Sequence, residues 1–188
     1  MSFYSTEQLN KMDFKHLGKN VLISDKCSIY NAANISIGDN CRIDDFAILS
    51  AGDGGIELGN YVHIACFATL IGKGKITMGD FSGLSSRVSV YSSSDDYSGS
   101  YLLGPTIPSE FTNTDHRPVE FGKYVIIGSG SVVLPGTIVQ EGCCFGALSL
   151  ANGEYDAYTL YAGSPAKFIK NRKRVEDHLD LDQISKYN

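Results

Sequence analysis

Apolar residues recur every six positions along most of the chain. Taking Leu, Ile, Val, Met or Phe as an anchor, Ile37, Ile43 and Leu49 form one run, Leu58, Ile64 and Leu70 a second, and Met78, Leu84 and Val90 a third. After a break the pattern resumes at Phe121, Ile127, Val133, Val139 and Phe145. Glycine often follows the anchor, at Gly38, Gly59, Gly79, Gly122, Gly128 and Gly146. Four positions after the anchor stands a small or β-branched residue in every complete unit, among them Cys41, Ala47, Val62, Ala68, Ser82, Val125 and Thr137. Neither the helical period nor strict alternation describes these segments. A six-residue unit of short strand plus corner does. The anchor points inward and stacks on the next rung, the small residue fits a cramped interior corner, and the glycine is expected to relieve backbone strain near the turn. No rung buries its apolar side alone, so several must stack into a solenoid.

Small insertions at residues 51–55 and 72–75 shift the anchors. The large interruption is residues 92–118, rich in Ser, Gly, Asp and Pro. A long excursion from a regular scaffold is expected to be functional. At the start, Ser5-Thr6-Glu7-Gln8 carries a capping-box pattern and predicts a short helix over the first rung. Residues 175–184 place apolar side chains at helical spacing and predict a C-terminal helix. The expected organisation is a single domain over 1–188. It comprises an N-terminal cap over 1–20, the solenoid over 21–166 with its loop at 92–118, and a tail over 167–188.

Composition narrows the function. The 188 residues carry 16 Lys+Arg against 21 Asp+Glu, a formal charge of −5, which argues against a broad grip on nucleic acid or an anionic membrane. No window is apolar enough for a membrane span, and the first residues lack the basic and apolar regions of a secretory signal. The five cysteines are odd in number and form no CxxC pair. Reduced thiols in a cytoplasmic protein fit better than a disulfide framework.

Two stretches carry a specific resemblance. Residues 125–136 read Val-Ile-Ile-Gly-Ser-Gly-Ser-Val-Val-Leu-Pro-Gly, and residues 161–167 read Tyr-Ala-Gly-Ser-Pro-Ala-Lys. With the six-residue repeat, over residues 35–174, they resemble the hexapeptide-repeat acyltransferases. The likeness is to the galactoside, maltose and xenobiotic O-acetyltransferases and their relatives in surface-polysaccharide and lipopolysaccharide synthesis. Residues 80–97 resemble the polysaccharide-modifying members in particular. The resemblance implies an all-β, left-handed parallel β-helix with a long external loop and short terminal helices. It also implies a homotrimer, with acetyl-CoA as cosubstrate between neighbouring solenoids and the loop reaching to the next subunit. Tyr61, Phe67, Tyr124 and Ile126 are the outward residues expected at subunit contacts.

Acetyl transfer from a thioester needs a base for the acceptor, donors facing the developing oxyanion, and a groove for the cofactor arm. Histidine suits the first role. His16 and His178 lie outside the regular rungs and read as surface residues. His116 sits where the loop returns, and His63 points outward from its rung. The resemblance places a catalytic histidine at the start of the loop, where this chain has Asp95 and Asp96. The base is therefore expected among His116, His63, Asp95 and Asp96, with His116 ranked ahead of His63 because only the loop reaches a neighbour. For acetyl-CoA, the resemblance points to the backbone around Gly128, Ser129, Gly146 and Ala147, and to Lys167 near the phosphates. Lys170 follows in the same basic run.

The expected activity is O-acetylation of a sugar or surface-polysaccharide precursor. The alternative is N-acetylation of a nucleotide-linked amino sugar, whose neutral amine needs little activation. A carbonic anhydrase of similar architecture requires three zinc-binding histidines with a His-x4-His pair, which the chain lacks, and no metal is expected. A non-enzymatic scaffold needs neither the long loop nor the 161–167 exit.

Overall fold

The computed structural model describes residues 2–181, 183 and 184. The chain winds as a parallel β-solenoid of about seven turns, each turn laying one short strand on each of three sheets. The seven-stranded sheet begins at His16–Leu17 and runs through Ile35–Ile37, Ile56–Leu58, Ile76–Met78 and Val119–Phe121 to Ile138–Val139 and Glu154–Tyr155. The eight-stranded sheet contains Arg42–Ile43, His63–Ile64, Gly83–Leu84, Ile126–Ile127 and Cys144–Phe145. The six-stranded sheet completes the prism with Ile48–Ala51, Thr69–Gly72, Ser89–Tyr91 and Val132–Val133 among its strands. No helix among the described residues is long and apolar enough to cross a membrane.

Every anchor of the six-residue repeat is buried, from Ile37 to Phe145. So is every small residue four positions on, including the hydroxyls of Ser82, Ser131, Thr137 and Ser149. Those hydroxyls stay inside because each is hydrogen-bonded to a turn carbonyl: Ser82 to Gly79 at 2.7 Å, Thr137 to Leu134 at 2.7 Å and Ser149 to Gly146 at 2.7 Å.

The strained position is not the glycine after the anchor. It lies three residues after the anchor, where Asn40, Phe46, Tyr61, Phe67, Phe81, Arg87, Tyr124 and Leu148 take φ between +57° and +63°. Gly130, Gly136 and Gly142 hold the same place in other rungs. A residue with a side chain in this region costs about 1–2 kcal/mol. Stacking offsets part of that cost. Tyr61, Phe81 and Tyr124 form a column with ring centroids 4.8 and 5.6 Å apart, and Phe46 stacks on Phe67 at 5.0 Å with Arg87 over the Phe67 ring.

The glycine after the anchor serves close approach instead. A β-carbon on Gly38 would sit 2.7 Å from the Asn60 side-chain oxygen, and one on Gly59 would sit 2.6 Å from that of Asp80. These side chains lie across the glycines to reach the rung before. Asp39 accepts from the Lys19 amide at 2.7 Å, Asn60 from the Asp39 amide at 2.8 Å, and Asp80 from the Asn60 amide at 2.9 Å. They seal the first rungs of the corner between the seven- and eight-stranded sheets.

The capping box forms as expected. Helix Thr6–Asn10 is capped by Ser5 and Gln8 reciprocally, and Leu9 enters the core. The expected C-terminal helix does not form. The segment instead makes short 3-10 structure, at Val175–Asp177 and again at Leu181, Gln183 and Ile184, with Asp182 outside the described residues. Glu176, Asp177 and Asp180 crowd like charges there, and Glu176 is taken up by the Tyr158 hydroxyl at 2.7 Å, which ties the turn back to the last rungs. Before it, Lys167–Asn171 reverses direction and pairs antiparallel with Thr159–Ala162.

The 92–118 excursion leaves at the corner between the six- and seven-stranded sheets. A two-stranded antiparallel ribbon, Ser93–Ser94 with Asp115–His116, forms its neck. Its tip exposes Tyr97, Tyr101, Leu102, Leu103 and Phe111, with Tyr97 88% accessible.

Candidate active site

A cleft of about 520 Å³ lies on the outer face of the eight-stranded sheet. Tyr61 and Phe81 form one wall, His63, Gly83 and Ile126 the floor, and Ala65, Ser85, Ser86 and Ser129 the other wall. The floor belongs to one register row that runs along the solenoid axis. Arg42 pairs with His63, His63 with Gly83, Gly83 with Ile126, Ile126 with Cys144, Cys144 with Leu160 and Leu160 with Lys170. At about 4.8 Å per strand, the stretch from His63 to Lys170 covers about 24 Å. It starts polar, is open at Gly83, turns apolar, and ends on a cation.

His63 is held from one rung back. Asp44, buried at the edge of the row, bonds His63 Nε2 through one oxygen at 2.9 Å and Arg42 Nε through the other at 2.7 Å. Burial pushes the Asp44 carboxyl up, and the bonds from Arg42 and His63 outweigh it and hold the group below its ordinary value. A carboxylate only accepts, so this partner assigns the proton of neutral His63 to Nε2 and leaves Nδ1 as the basic nitrogen. Nδ1 has no hydrogen-bond partner among the described residues.

His116 is arranged the other way. Its Nδ1 lies 2.7 Å from Ser93 Oγ, and the same hydroxyl accepts the Lys73 amide at 2.8 Å. Ser93 thus holds Nδ1 of His116, and the direction of that bond follows the tautomer of the imidazole. Asp115, the neighbour available to orient His116, is instead paired with Arg117 at 2.7 Å. Asp96 braces the loop neck through the Ser98 amide and the Asn113 side chain at 2.9 Å, and those bonds hold its carboxyl low. Asp95 lines a separate hollow of about 310 Å³ with Tyr97, Arg117 and Pro135. Within one chain, the structure brings His63 and Ser129 together in the large cleft. It places His116, Asp95 and Asp96 on the loop.

The residues expected near the cofactor follow one corner. Gly128, Ser129, Gly146 and Ala147 stack where the eight-stranded sheet turns into the six-stranded sheet. The amides of Cys66, Ser86, Ser129 and Ala147 there donate no backbone hydrogen bond among the described residues. Lys167 and Lys170 are exposed on the reversed strand and make no ion pair among the described residues. Arg172 and Arg174, from the same basic run, turn away to the Gly142 carbonyl and the Tyr158 ring. Three of the cysteines are poor nucleophiles: burial pushes the Cys27 thiol up to about 12 and the Cys41 and Cys143 thiols to about 11. No cluster among the described residues groups three or more side chains able to hold a metal ion.

Sequence reasoning missed Asp44, Gly83, Ser85 and Ser86. A comparison by whole turns of about 20 residues, rather than by six, sets Asp44 beside His63.

A comparison with protein-family profiles finds no match. Individual proteins do match. The chain is 49% identical over 186 residues to a dTDP-4-amino-4,6-dideoxy-D-glucose acyltransferase of Escherichia coli, covering 99% of this chain and 96% of that protein. The crystal structure of AntD, an N-acyltransferase from Bacillus cereus bound to dTDP and 3-hydroxybutyryl-CoA, superimposes with a TM-score of 0.92 at 45% identity, covering 100% of this chain and 98% of the other. AntD with one serine replaced holds dTDP-4-amino-4,6-dideoxyglucose and coenzyme A, and with one aspartate replaced holds dTDP and coenzyme A. A maltose O-acetyltransferase from Clostridium difficile shares the fold, with a TM-score of 0.60 at 20% identity over 89% of this chain and 75% of its own.

Proposed function

The chain belongs to the hexapeptide-repeat acyltransferases that act on sugars, and from that premise we propose that it transfers an acyl group from acyl-CoA to the amino group of a dTDP-linked 4-amino-4,6-dideoxy sugar. The observation that carries this reading is the 49% identity, end to end, with an enzyme of that acceptor class. The hydroxyl acceptor expected from sequence gives way to an amine, because the relatives that match along the whole chain are amino-sugar acyltransferases.

The register row supplies the layout. Lys170 and Lys167 meet the phosphate end of the donor, Leu160, Cys144 and Ile126 support its arm, and the open amides of Ser129 and Ala147 bond it along the corner. The thioester then lies over Gly83, one strand from His63. The neutral amine attacks the thioester carbonyl, the C–S bond breaks, and coenzyme A leaves as its thiolate with the bonding pair. Nδ1 of His63 takes the proton that the nitrogen loses, with Asp44 stabilising the imidazolium. The cleft is open, and the loop with its exposed aromatic tip belongs to the assembly. A homotrimer, in which each loop closes the next subunit's cleft, accounts for both.

A second reading rests on the AntD structures with a serine or an aspartate replaced. There a serine such as Ser85 and a loop carboxylate such as Asp95 of a neighbouring subunit orient the amine, and no histidine acts. Thiol release with acetyl-CoA and dTDP-4-amino-4,6-dideoxyglucose, against dTDP-glucose as the hydroxyl control, tests the function. Turnover with the amino sugar alone is expected; turnover with dTDP-glucose alone overturns the reading. His63→Ala is expected to lose about 10²–10⁴ in turnover. If Asp95→Ala loses that much and His63→Ala does not, the second reading holds.

A further inference from the structure

Gly83 is the one glycine of the chain that its own fold does not explain. Nine of the 20 glycines have positive φ. At ten more, a β-carbon would come within 3.1 Å of a neighbouring atom. At Gly83, φ is ordinary, and a β-carbon would lie 3.4 Å from its nearest neighbour, the His63 carbonyl oxygen, an ordinary contact. Nothing in the backbone or the packing requires glycine here. The position is nevertheless the centre of the cleft floor, flanked along the row by His63 and Ile126. A strand glycine with space above it marks a place where a ligand comes close to the backbone.

We propose that the opening above Gly83 receives the acyl chain of the donor and sets the longest acyl group the enzyme transfers. This rests on the functional reading above. The arm arrives over Ile126 from the Lys170 end, and His63 takes the acceptor side, so the space left between them is that of the acyl group. Its walls suit a short chain bearing a polar group: the Tyr61 and Phe81 rings on one side, the Ser85 and Ser86 hydroxyls on the other. A methyl group at position 83 would shorten the space without disturbing the rung.

The test compares wild type with Gly83→Ala and Gly83→Val, using acetyl-CoA and butyryl-CoA as donors. Binding is read first by calorimetry, which needs no acceptor, and then kcat/KM with the amino sugar. Wild type is expected to bind and use both donors. Gly83→Ala is expected to fold, to lose less with acetyl-CoA than with butyryl-CoA, and to shift the acetyl-to-butyryl ratio on the order of 10- to 200-fold, the range for a methylene in an apolar pocket. Gly83→Val should extend the shift. An unchanged ratio, an equal loss with both donors, a wild type that already rejects butyryl-CoA, or an alanine variant that does not fold would each overturn the proposal. If wild type binds both donors but acylates no amino sugar, the functional reading fails separately, and the calorimetric ratio still decides the role of Gly83.

Discussion

Two corners flank the eight-stranded sheet, and they are built from the same six-residue unit. Both place a residue with positive φ three positions after the anchor. They differ two positions after it. On the side facing the seven-stranded sheet, Asp39, Asn60 and Asp80 reach back and accept the amide of the preceding rung. On the side facing the six-stranded sheet, Asp45, Cys66, Ser86, Ser129 and Ala147 stand at that position, and none of their side chains accepts the amide of the preceding rung; Asp45 turns to the Ser24 hydroxyl and the Lys26 ammonium instead. The first corner is sealed from Lys19 to Asn60, and beyond Asp80 the same position holds Lys123 and Glu141, whose side chains accept no rung amide among the described residues. The second leaves a column of N–H groups along one wall of the cleft. The position two after the anchor separates the sealed rungs from the open column, and the open column is the one the proposed function assigns to acyl-CoA.

Exchanging the two corners breaks this distinction. Ala147→Asp puts the sealing carboxylate at the open corner, where it would accept the Ser129 amide and repel the donor phosphates. Acyl-CoA binding is expected to weaken by about 1–3 kcal/mol, with melting temperature unchanged or raised; calorimetry and thermal unfolding check both. The opposite change, Asp80→Ala, removes the acceptor of the Asn60 amide and the Lys123 partner at 3.2 Å. It is expected to cost about 1–2 kcal/mol of stability in denaturant titration, with kcat/KM kept. The smallest effect is in acid. The Asp44 carboxyl is held low in the fold, so its contribution is present above the unfolded pKa of about 3.9 and is lost as pH falls through the lower folded value. Below about pH 4, wild type should lose melting temperature more steeply than Asp44→Asn; parallel acid limbs would remove Asp44 from that role.

The core was legible because its grammar repeats: one anchor and one small residue per unit sufficed to place the interior. The strained corner was assigned to the glycine after the anchor, because glycine is the usual occupant of left-handed backbone. Here aromatic columns carry that strain, and only stacked rungs bring Tyr61, Phe81 and Tyr124 together. The C-terminal pattern held helical spacing but too much negative charge, and Tyr158 and Arg172 hold the segment against the last rungs. In the site, His63 was recognisable as outward-facing. Its partner Asp44 was not, because the pair is local along the axis and distant along the sequence. The hydroxyl acceptor followed from the wider family, whereas the relatives that match end to end are amino-sugar acyltransferases.

A stack of parallel strands has no natural length. Each rung exposes a row of amides and carbonyls that would template another, as in a growing fibre. Here the reversal of Lys167–Asn171 ends that growth on the eight-stranded sheet. Running antiparallel to Thr159–Ala162, it presents the wrong polarity to a further parallel rung, and its lysines add charge at the terminus. The segment to which the proposed function assigns the donor's phosphates is also a stop at this end of the solenoid. Truncation before residue 167 would therefore yield a sticky end rather than merely a slower enzyme.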